Sequence, residues 1–204
     1  MLKAMHVDRF IFTGPPGAGK TTLLQRLAQD GLSIVAEAAS DLIAARQRLG
    51  LSEPWKDPSF VDAIAHLQRE RQITLGQSAR IQLYDRSPIC TLALANWLGH
   101  AISDELNREV GRMLREQIYR PEIFFIESLG FVTLTQARRI DFADSIRFGR
   151  LHEQTYAAYG FRTILVKPAP VAERAAAARK ELVSLCGPEF LDDGQNPTAT
   201  DTLS

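Results

Sequence analysis

Eight consecutive residues, Gly14, Pro15, Pro16, Gly17, Ala18, Gly19, Lys20 and Thr21, satisfy the spacing G-x-x-x-x-G-K-[ST] at every required position, and Thr22 follows. These residue types suit the binding of a nucleoside triphosphate. Glycines let the backbone curl until successive N–H groups point at phosphate oxygens with no side chain in the way. A helix starting there adds the positive end of its dipole. Lys20 supplies a flexible point charge for the β- and γ-phosphates, and Thr21 a hydroxyl for Mg²⁺. Both flanks suit the motif: the apolar run Phe10-Ile11-Phe12-Thr13 leads in, and Leu23, Leu24, Leu27 and Ala28 lie on one face of a helical stretch leading out. Gly14 to Thr22 are the expected nucleotide-binding residues, and ATP and Mg²⁺ the expected cofactors.

Other side chains could act on a nucleotide held there. Asp85 closes the run Ile81-Gln82-Leu83-Tyr84. At the carboxyl edge of a doubly wound sheet it would stand beside the phosphate loop and, with Thr21, hold the metal. Glu37 ends the run Ser33-Ile34-Val35-Ala36 and faces the same crevice in that geometry. Its carboxylate could accept a proton from an attacking hydroxyl, bind a magnesium water, or be a solvated strand end. Small Ala38 and Ala39 leave room for a ligand. Arg138 and Arg139 precede the helical stretch from Phe142, where they could neutralise charge near a γ-phosphate or lie on solvated surface; Arg147 and Arg150 are the substitutes on that next helix. Lys20, Glu37, Asp85, Arg138 and Arg139 make up the expected catalytic set. Trp55 and Phe60 could close over a flat substrate or pack the insert. His6, His66, His100 and His152 have no zinc-site spacing, and Cys90, among Leu92, Ala93 and Leu94, reads as a buried inert thiol.

These groups need a frame, and the chain alternates short β-like runs with longer helical ones. Strands are expected over Phe10–Thr13, Ser33–Glu37, Ile81–Asp85, Glu122–Glu127 and Thr163–Val166. Helices are expected over Lys20–Gln29, Asp41–Leu49, Phe60–Leu75, Asp104–Tyr119, Phe142–Tyr159 and Val171–Cys186. Pro54-Trp55-Lys56-Asp57-Pro58 reads as a rigid loop, because its two prolines forbid regular pairing. The sum is an α/β fold, a three-layer phosphate-loop NTPase sandwich on a five-stranded, mostly parallel sheet. Residues 1–186 are expected to form one nucleotide-binding domain, and residues 187–204, poor in apolar side chains, a mobile tail.

Composition narrows the partners. Lys plus Arg number 24 and Asp plus Glu number 24, so no overall basic footprint favours nucleic acid or an anionic membrane. Two cysteines are too few for a disulfide scaffold. No apolar run approaches the roughly 20 residues of a membrane span, and Met1 to Arg9 carries charges where a secretion signal needs an apolar stretch. A cytoplasmic protein without membrane association is expected.

Asp85-Arg86-Ser87 after the third strand resembles the nucleoside and nucleotide kinases, in which that arginine contacts substrate or phosphate; a strand-end ion pair is the competing reading. An ATPase motor more often carries Asp-Glu there. The segments GPPGAGKT, IVAEAA, PWKDP, YDRSPICTLALANWLG, FFIESLGF and ARRIDFADSIRFGRLHEQTYAAYGF together resemble the small bacterial AAA-type predicted ATPases. That family groups with kinase-like phosphate-loop proteins, near the nicotinamide riboside kinase domain of NAD-regulating proteins. The resemblance spans about residues 8–180 and implies a kinase-like core that binds ATP and magnesium. It also implies that the helix before the third strand lines an acceptor pocket, which adds Gln68 and Arg71 to Arg86, Glu37 and Trp55 as expected acceptor-binding residues; an exposed charged face explains the first two as well.

The leading expectation is a phosphotransferase acting on a nucleoside- or nucleotide-like small molecule. The alternative is a regulatory NTPase with slow hydrolysis and no acceptor. A guanine-specific switch would carry Asn-Lys-x-Asp after a late strand, where this chain has Val166-Lys167-Pro168-Ala169-Pro170. Neutral charge disfavours a nucleic-acid motor. Lys20→Ala is expected to abolish ATP binding in calorimetry while leaving the circular dichroism spectrum intact; undiminished binding would overturn the loop assignment.

Overall fold

A computed structural model describes residues 7–131 and 140–188. Five strands, β1 (Asp8–Thr13), β2 (Ser33–Val35), β3 (Ile81–Asp85), β4 (Glu122–Ile126) and β5 (Arg162–Val166), form one sheet in the order β2-β3-β1-β4-β5. Every neighbouring pair is parallel, so the sheet is wholly parallel. Strands β1, β3 and β4 are buried along nearly their whole length, as their continuous apolar runs require of strands covered on both faces. β5 forms an edge and is more exposed.

Among the described residues seven helices cover the two faces: α1 (Lys20–Gln29), α2 (Ala38–Arg48), α3 (Ser59–Leu75), α4 (Pro88–Leu98), α5 (Asp104–Arg115), α6 (Phe142–Ala158) and α7 (Val171–Cys186). On one face Phe10, Phe12, Leu83 and Phe124 pack against Leu23 and Leu27 of α1 and Ala178 and Leu182 of α7. Phe12 and Phe124 stack with ring centroids 4.6 Å apart. On the other face Ile11, Tyr84 and Ile123 pack against α3, α4, α5 and α6 through Val61, Ile89, Val110 and Tyr156. A smaller cluster of Ala38, Phe60 and Ile64 joins α2 to α3. Among the described residues no helix is long and apolar enough to cross a membrane.

Four local expectations are corrected. β2 stops at Val35, and Glu37 is the N-cap of α2, which starts at Ala38 and not at Asp41. Burial of Ala38 in the α2–α3 cluster draws that first turn in. The proline-bracketed segment contains one 3₁₀ turn, Pro54–Lys56, because Pro54 at its first position has no N–H to lose. α5 ends at Arg115, and Gln117 takes a positive φ of 48° just past it. Finally, α4 has no counterpart in the hydrophobic pattern. Seven of its residues, from Pro88 to Ala95, are buried, so it is apolar all round and shows no stripe at helical period.

The sheet order brings the carboxyl ends of β1 and β3 together at the centre, where the strand sequence reverses. The chain leaves β1 through Gly14 at φ 136°, and a Cβ built there would lie 2.3 Å from the Ile126 carbonyl oxygen. That neighbour is backbone of an inner strand and cannot yield. Gly14→Ala is therefore expected to destabilise the fold by about 3 kcal/mol or more, read as a lowered urea midpoint, since it combines overpacking with a strained φ.

Candidate functional site

The phosphate loop runs from Gly14 into α1. Gly17 and Gly19 adopt φ values of 84° and 76°, which glycine takes without steric penalty, and Gly19 caps the helix. The first N–H groups of α1, from Lys20, Thr21 and Thr22, have no partner within the helix. Lys20 is 7% exposed, and its Nζ donates to the Gly14 and Pro15 carbonyls at 3.3 and 3.2 Å. Burial, with the Arg86 charge added, lowers its pKa to about 8.

Both helical layers grip this loop. From α7, Arg174 Nη2 donates to the Ala18 carbonyl at 2.7 Å, and its Nη1 would lie 3.1 Å from a Cβ at Gly19. From α6, Ser145 Oγ donates to the Pro16 carbonyl at 2.6 Å, and Gly149 lies so close that a Cβ there would meet Pro15 Cβ at 2.9 Å. Arg174 is 4% exposed, its Nε has no hydrogen-bond partner among the described residues, and burial pushes its pKa down.

Beside the loop lies a cluster of charges. Thr21 Oγ1 donates to Asp85 Oδ2 at 3.4 Å, while Asp85 Oδ1 is buried and has no partner among the described residues. Burial, then the neighbouring Glu37 charge, pushes the Asp85 carboxyl up. Arg86 takes a left-handed φ of 74°, unusual for a residue with a side chain. Its guanidinium is used on every side: Nε donates to Glu37 Oε1 at 2.6 Å, Nη1 lies 3.0 Å from His152 Nδ1 and 3.4 Å from Nε2, and Nη2 reaches the Gly14 carbonyl at 3.4 Å. Burial opposes ionisation of Glu37, but the Arg86 and Lys20 charges outweigh it and hold that carboxyl below its ordinary range; Ser40 Oγ donates to its other oxygen. His152 is 1% exposed, and burial together with Arg86 and Lys20 holds it well below its ordinary pKa.

A cleft of about 730 Å³ opens over these groups. This falls in the range of small-molecule sites. One end is the loop from Pro16 to Thr22; the other is walled by Trp55, Phe60, Ile64, Leu94, Trp97 and Phe148. Gln68 and Thr91 supply the polar patch of that second end, with Thr91 Oγ1 donating to Gln68 Oε1 at 3.0 Å. The Trp55 carbonyl accepts from His100 Nε2 at 2.9 Å, which anchors the 3₁₀ turn to the end of α4.

The structure brings together most of the residues singled out from the sequence. Pro16, Gly17, Gly19, Lys20, Thr21, Thr22, Glu37, Trp55, Gln68 and Arg86 all line the cleft, with Asp85 buried directly behind Thr21. Arg71 is set apart, donating to the Ala36 carbonyl at 2.7 Å and pairing with Asp41, so it braces the chain entering Glu37. Arg138 and Arg139 lie outside the described residues. Arg147 pairs with Asp144 on exposed surface, and Arg150 is exposed.

Sequence reasoning missed His152, Arg174, Ser145 and Thr91. A signal for two of them existed: Ser145, Phe148, Gly149, His152 and Tyr156 recur at helical spacing and form the buried face of α6. Arg174 had no local signal, since its partner is 156 positions away in the chain.

Comparison with known proteins agrees with this architecture. No curated protein matches the chain. Among solved structures, NadR in complex with NAD and AMP-PNP superposes with a TM-score of 0.62 at 14% identity, over 97% of this chain and 52% of that one. This chain thus spans about half the length of that NadR chain. Deoxyadenosine kinase from M. mycoides with dCMP and dCDP bound gives a TM-score of 0.56 at 16% identity, over 87% of this chain and 99% of that one. At such identities the likeness establishes the fold, a kinase-like phosphate-loop sandwich. Residues 9–174, which include the phosphate loop, the Glu37–Arg86 pair, α6 and Arg174, match the model of one family as a continuous stretch, and the chain belongs to that family, the AAA domain.

Proposed function

We propose that the protein is a phosphotransferase that moves the γ-phosphoryl group of ATP to a hydroxyl of a small nucleoside- or nucleotide-like acceptor. One observation carries this reading: the Glu37–Arg86 pair lines the same cleft as the phosphate loop and an aromatic-walled pocket at its other end. Attack by water would need no such pocket. The fold shared with NadR and with deoxyadenosine kinase supports the same reading.

The roles follow from position. Amides of Gly17 and of Gly19 to Thr22, with the Lys20 ammonium, hold the phosphates. Thr21 and Asp85 would hold Mg²⁺: their hard oxygens suit it, and Asp85 Oδ1, without a partner among the described residues, is a buried acceptor that a metal-bound water would satisfy. Among the described residues there is no cluster of three or more acidic, His or Cys ligands, which suits an ion held mainly by phosphates and water. The metal's contribution when bound is to neutralise charge on the β- and γ-oxygens.

Glu37 stays ionised beside Arg86 and Lys20, so it can take the hydrogen bond of an acceptor hydroxyl at neutral pH. A depressed carboxyl is a weak base, but phosphoryl transfer through a loose transition state relies on positioning more than on early proton removal. Arg86 orients the acceptor, Trp55 covers its flat face and Gln68 offers an amide edge to its ring. Arg71 acts at one remove, through the Ala36 carbonyl and Asp41.

ADP release measured against a panel of nucleosides and nucleotides is expected to rise about tenfold or more over the acceptor-free rate for at least one member. Stimulation by none would leave the slow regulatory NTPase in its place. With an active acceptor, Glu37→Gln is expected to lower kcat by about 100-fold while ATP affinity changes less than about twofold. Unaltered turnover would remove Glu37 from the mechanism.

A further inference from the structure

We propose that His152 is a positioning residue: its unprotonated Nδ1 holds the Arg86 guanidinium in the one orientation that serves both Glu37 and the phosphate loop. This rests on the phosphotransfer reading and extends it to a side chain on α6 that neither the motif nor the aromatic pocket required.

The geometry carries the assignment. Arg86 has three separate tasks, and each uses a different nitrogen: Nε for Glu37, Nη2 for the Gly14 carbonyl and Nη1 for His152. A guanidinium is planar, so fixing one edge fixes the other two. Its backbone sits at φ 74°, a conformation that persists only where surrounding contacts dictate it. Of the three acceptors, Glu37 belongs to a helix cap with a 25% exposed side chain, and the Gly14 contact is long at 3.4 Å. The His152 contact is the one made to a wholly buried group on a long helix.

His152 is itself held. Its ring lies 4.3 Å from the Phe148 ring, and Phe148 lies 5.2 Å from Trp97. Phe148 and Trp97 wall the aromatic end of the cleft, so a continuous line of side chains runs from the acceptor pocket through His152 to Arg86 and Glu37. The same helix holds the Pro16 carbonyl through Ser145. α6 thereby registers the pocket wall, the guanidinium and the phosphate loop against one another.

Only a neutral ring can do this, because an imidazolium has no lone pair to accept from Arg86. The charged groups facing the ring are Arg86, from the end of β3, and Lys20, from α1; the carboxylate of Glu37 is on the far side of the guanidinium, and the Gly14 backbone meets the ring. Two cations and full burial keep the ring unprotonated.

The test uses the full chain, with His152→Asn, which sets an amide oxygen near the place of Nδ1, and His152→Leu, which removes the acceptor. In ¹⁵N-labelled protein, the Arg86 Nε–H bonded to Glu37 is read as a slowly exchanging side-chain signal, assigned by its loss in Arg86→Lys. That signal is expected to persist in His152→Asn and to be lost in His152→Leu. Turnover with an acceptor found active in the panel is expected to fall about tenfold to 100-fold in the Leu variant, with KM for ATP unchanged, and to stay within about threefold in the Asn variant. A signal and kcat that survive in His152→Leu would overturn the proposal. So would equal losses in both variants, which would mark a packing role. Should His152→Leu fail to fold, the long-range ¹H–¹⁵N spectrum of the wild type decides: an unprotonated Nδ1 between about pH 5 and 8 supports the proposal, and a protonated one overturns it. If no acceptor stimulates the wild type, the phosphotransfer reading fails, and the Arg86 signal still decides what His152 does.

Discussion

A single guanidinium ties this site together. Arg86 stands at the end of β3 and reaches the loop after β1, the cap of α2 and the buried face of α6. Three segments distant in sequence converge on it, and its pairing with Glu37 offsets the cost of burying the charge. A partly buried pair of this kind contributes little net stability over an apolar alternative, but losing one partner strands the other, a penalty of about 3–5 kcal/mol for fully buried pairs. The arrangement is therefore better understood as a device for geometry than as a source of stability. It also sets the local charge: Lys20 and Arg86 face Glu37 and Asp85, and Arg174 adds a third cation at the Ala18 carbonyl, which suits the phosphate loop to an anion.

The loop itself shows how close packing substitutes for side-chain bulk. Pro15 and Pro16 have no N–H, so the donors aimed at phosphate must come from Gly17 onward. The prolines serve the frame instead: the Pro15 carbonyl accepts from the Ala18 amide and the Lys20 ammonium, and the Pro16 carbonyl from Ser145. Gly149 gives Pro15 its space, and Gly19 leaves room for Arg174. Each contact removes freedom from a segment that would otherwise fluctuate, and preorganised donors are what make such a site effective.

The cleft divides into a charged half and an aromatic half, and the division follows the layers of the fold. The charged half is built at the carboxyl ends of β1 and β3, where the sheet order reverses. The aromatic half is built by helices, with Phe60 and Ile64 from α3, Leu94 and Trp97 from α4 and Phe148 from α6. Binding chemistry thus sits on the rigid sheet, while the walls that would select an acceptor sit on elements whose side chains can vary without disturbing the phosphate loop.

How much of this was legible in the sequence depends on whether the physics is local. The phosphate loop was legible because glycine, lysine and threonine act through backbone conformation and chain spacing, and the parallel sheet because buried strands must be continuously apolar. Glu37 and Asp85 could be named from their places at strand ends. α4 was hidden because a helix buried on all sides has no amphipathic period, and Arg71 was drawn to the acceptor by its helix when its side chain in fact turns back to Ala36 and Asp41. The sequence by itself determined that a phosphate cradle exists and which strand ends would border it. Only the tertiary structure decided that Arg86 faces His152, that Arg174 reaches Ala18 and that Gln68 meets Thr91, because those contacts span 66, 156 and 23 positions and arise from how separate helices settle on the sheet.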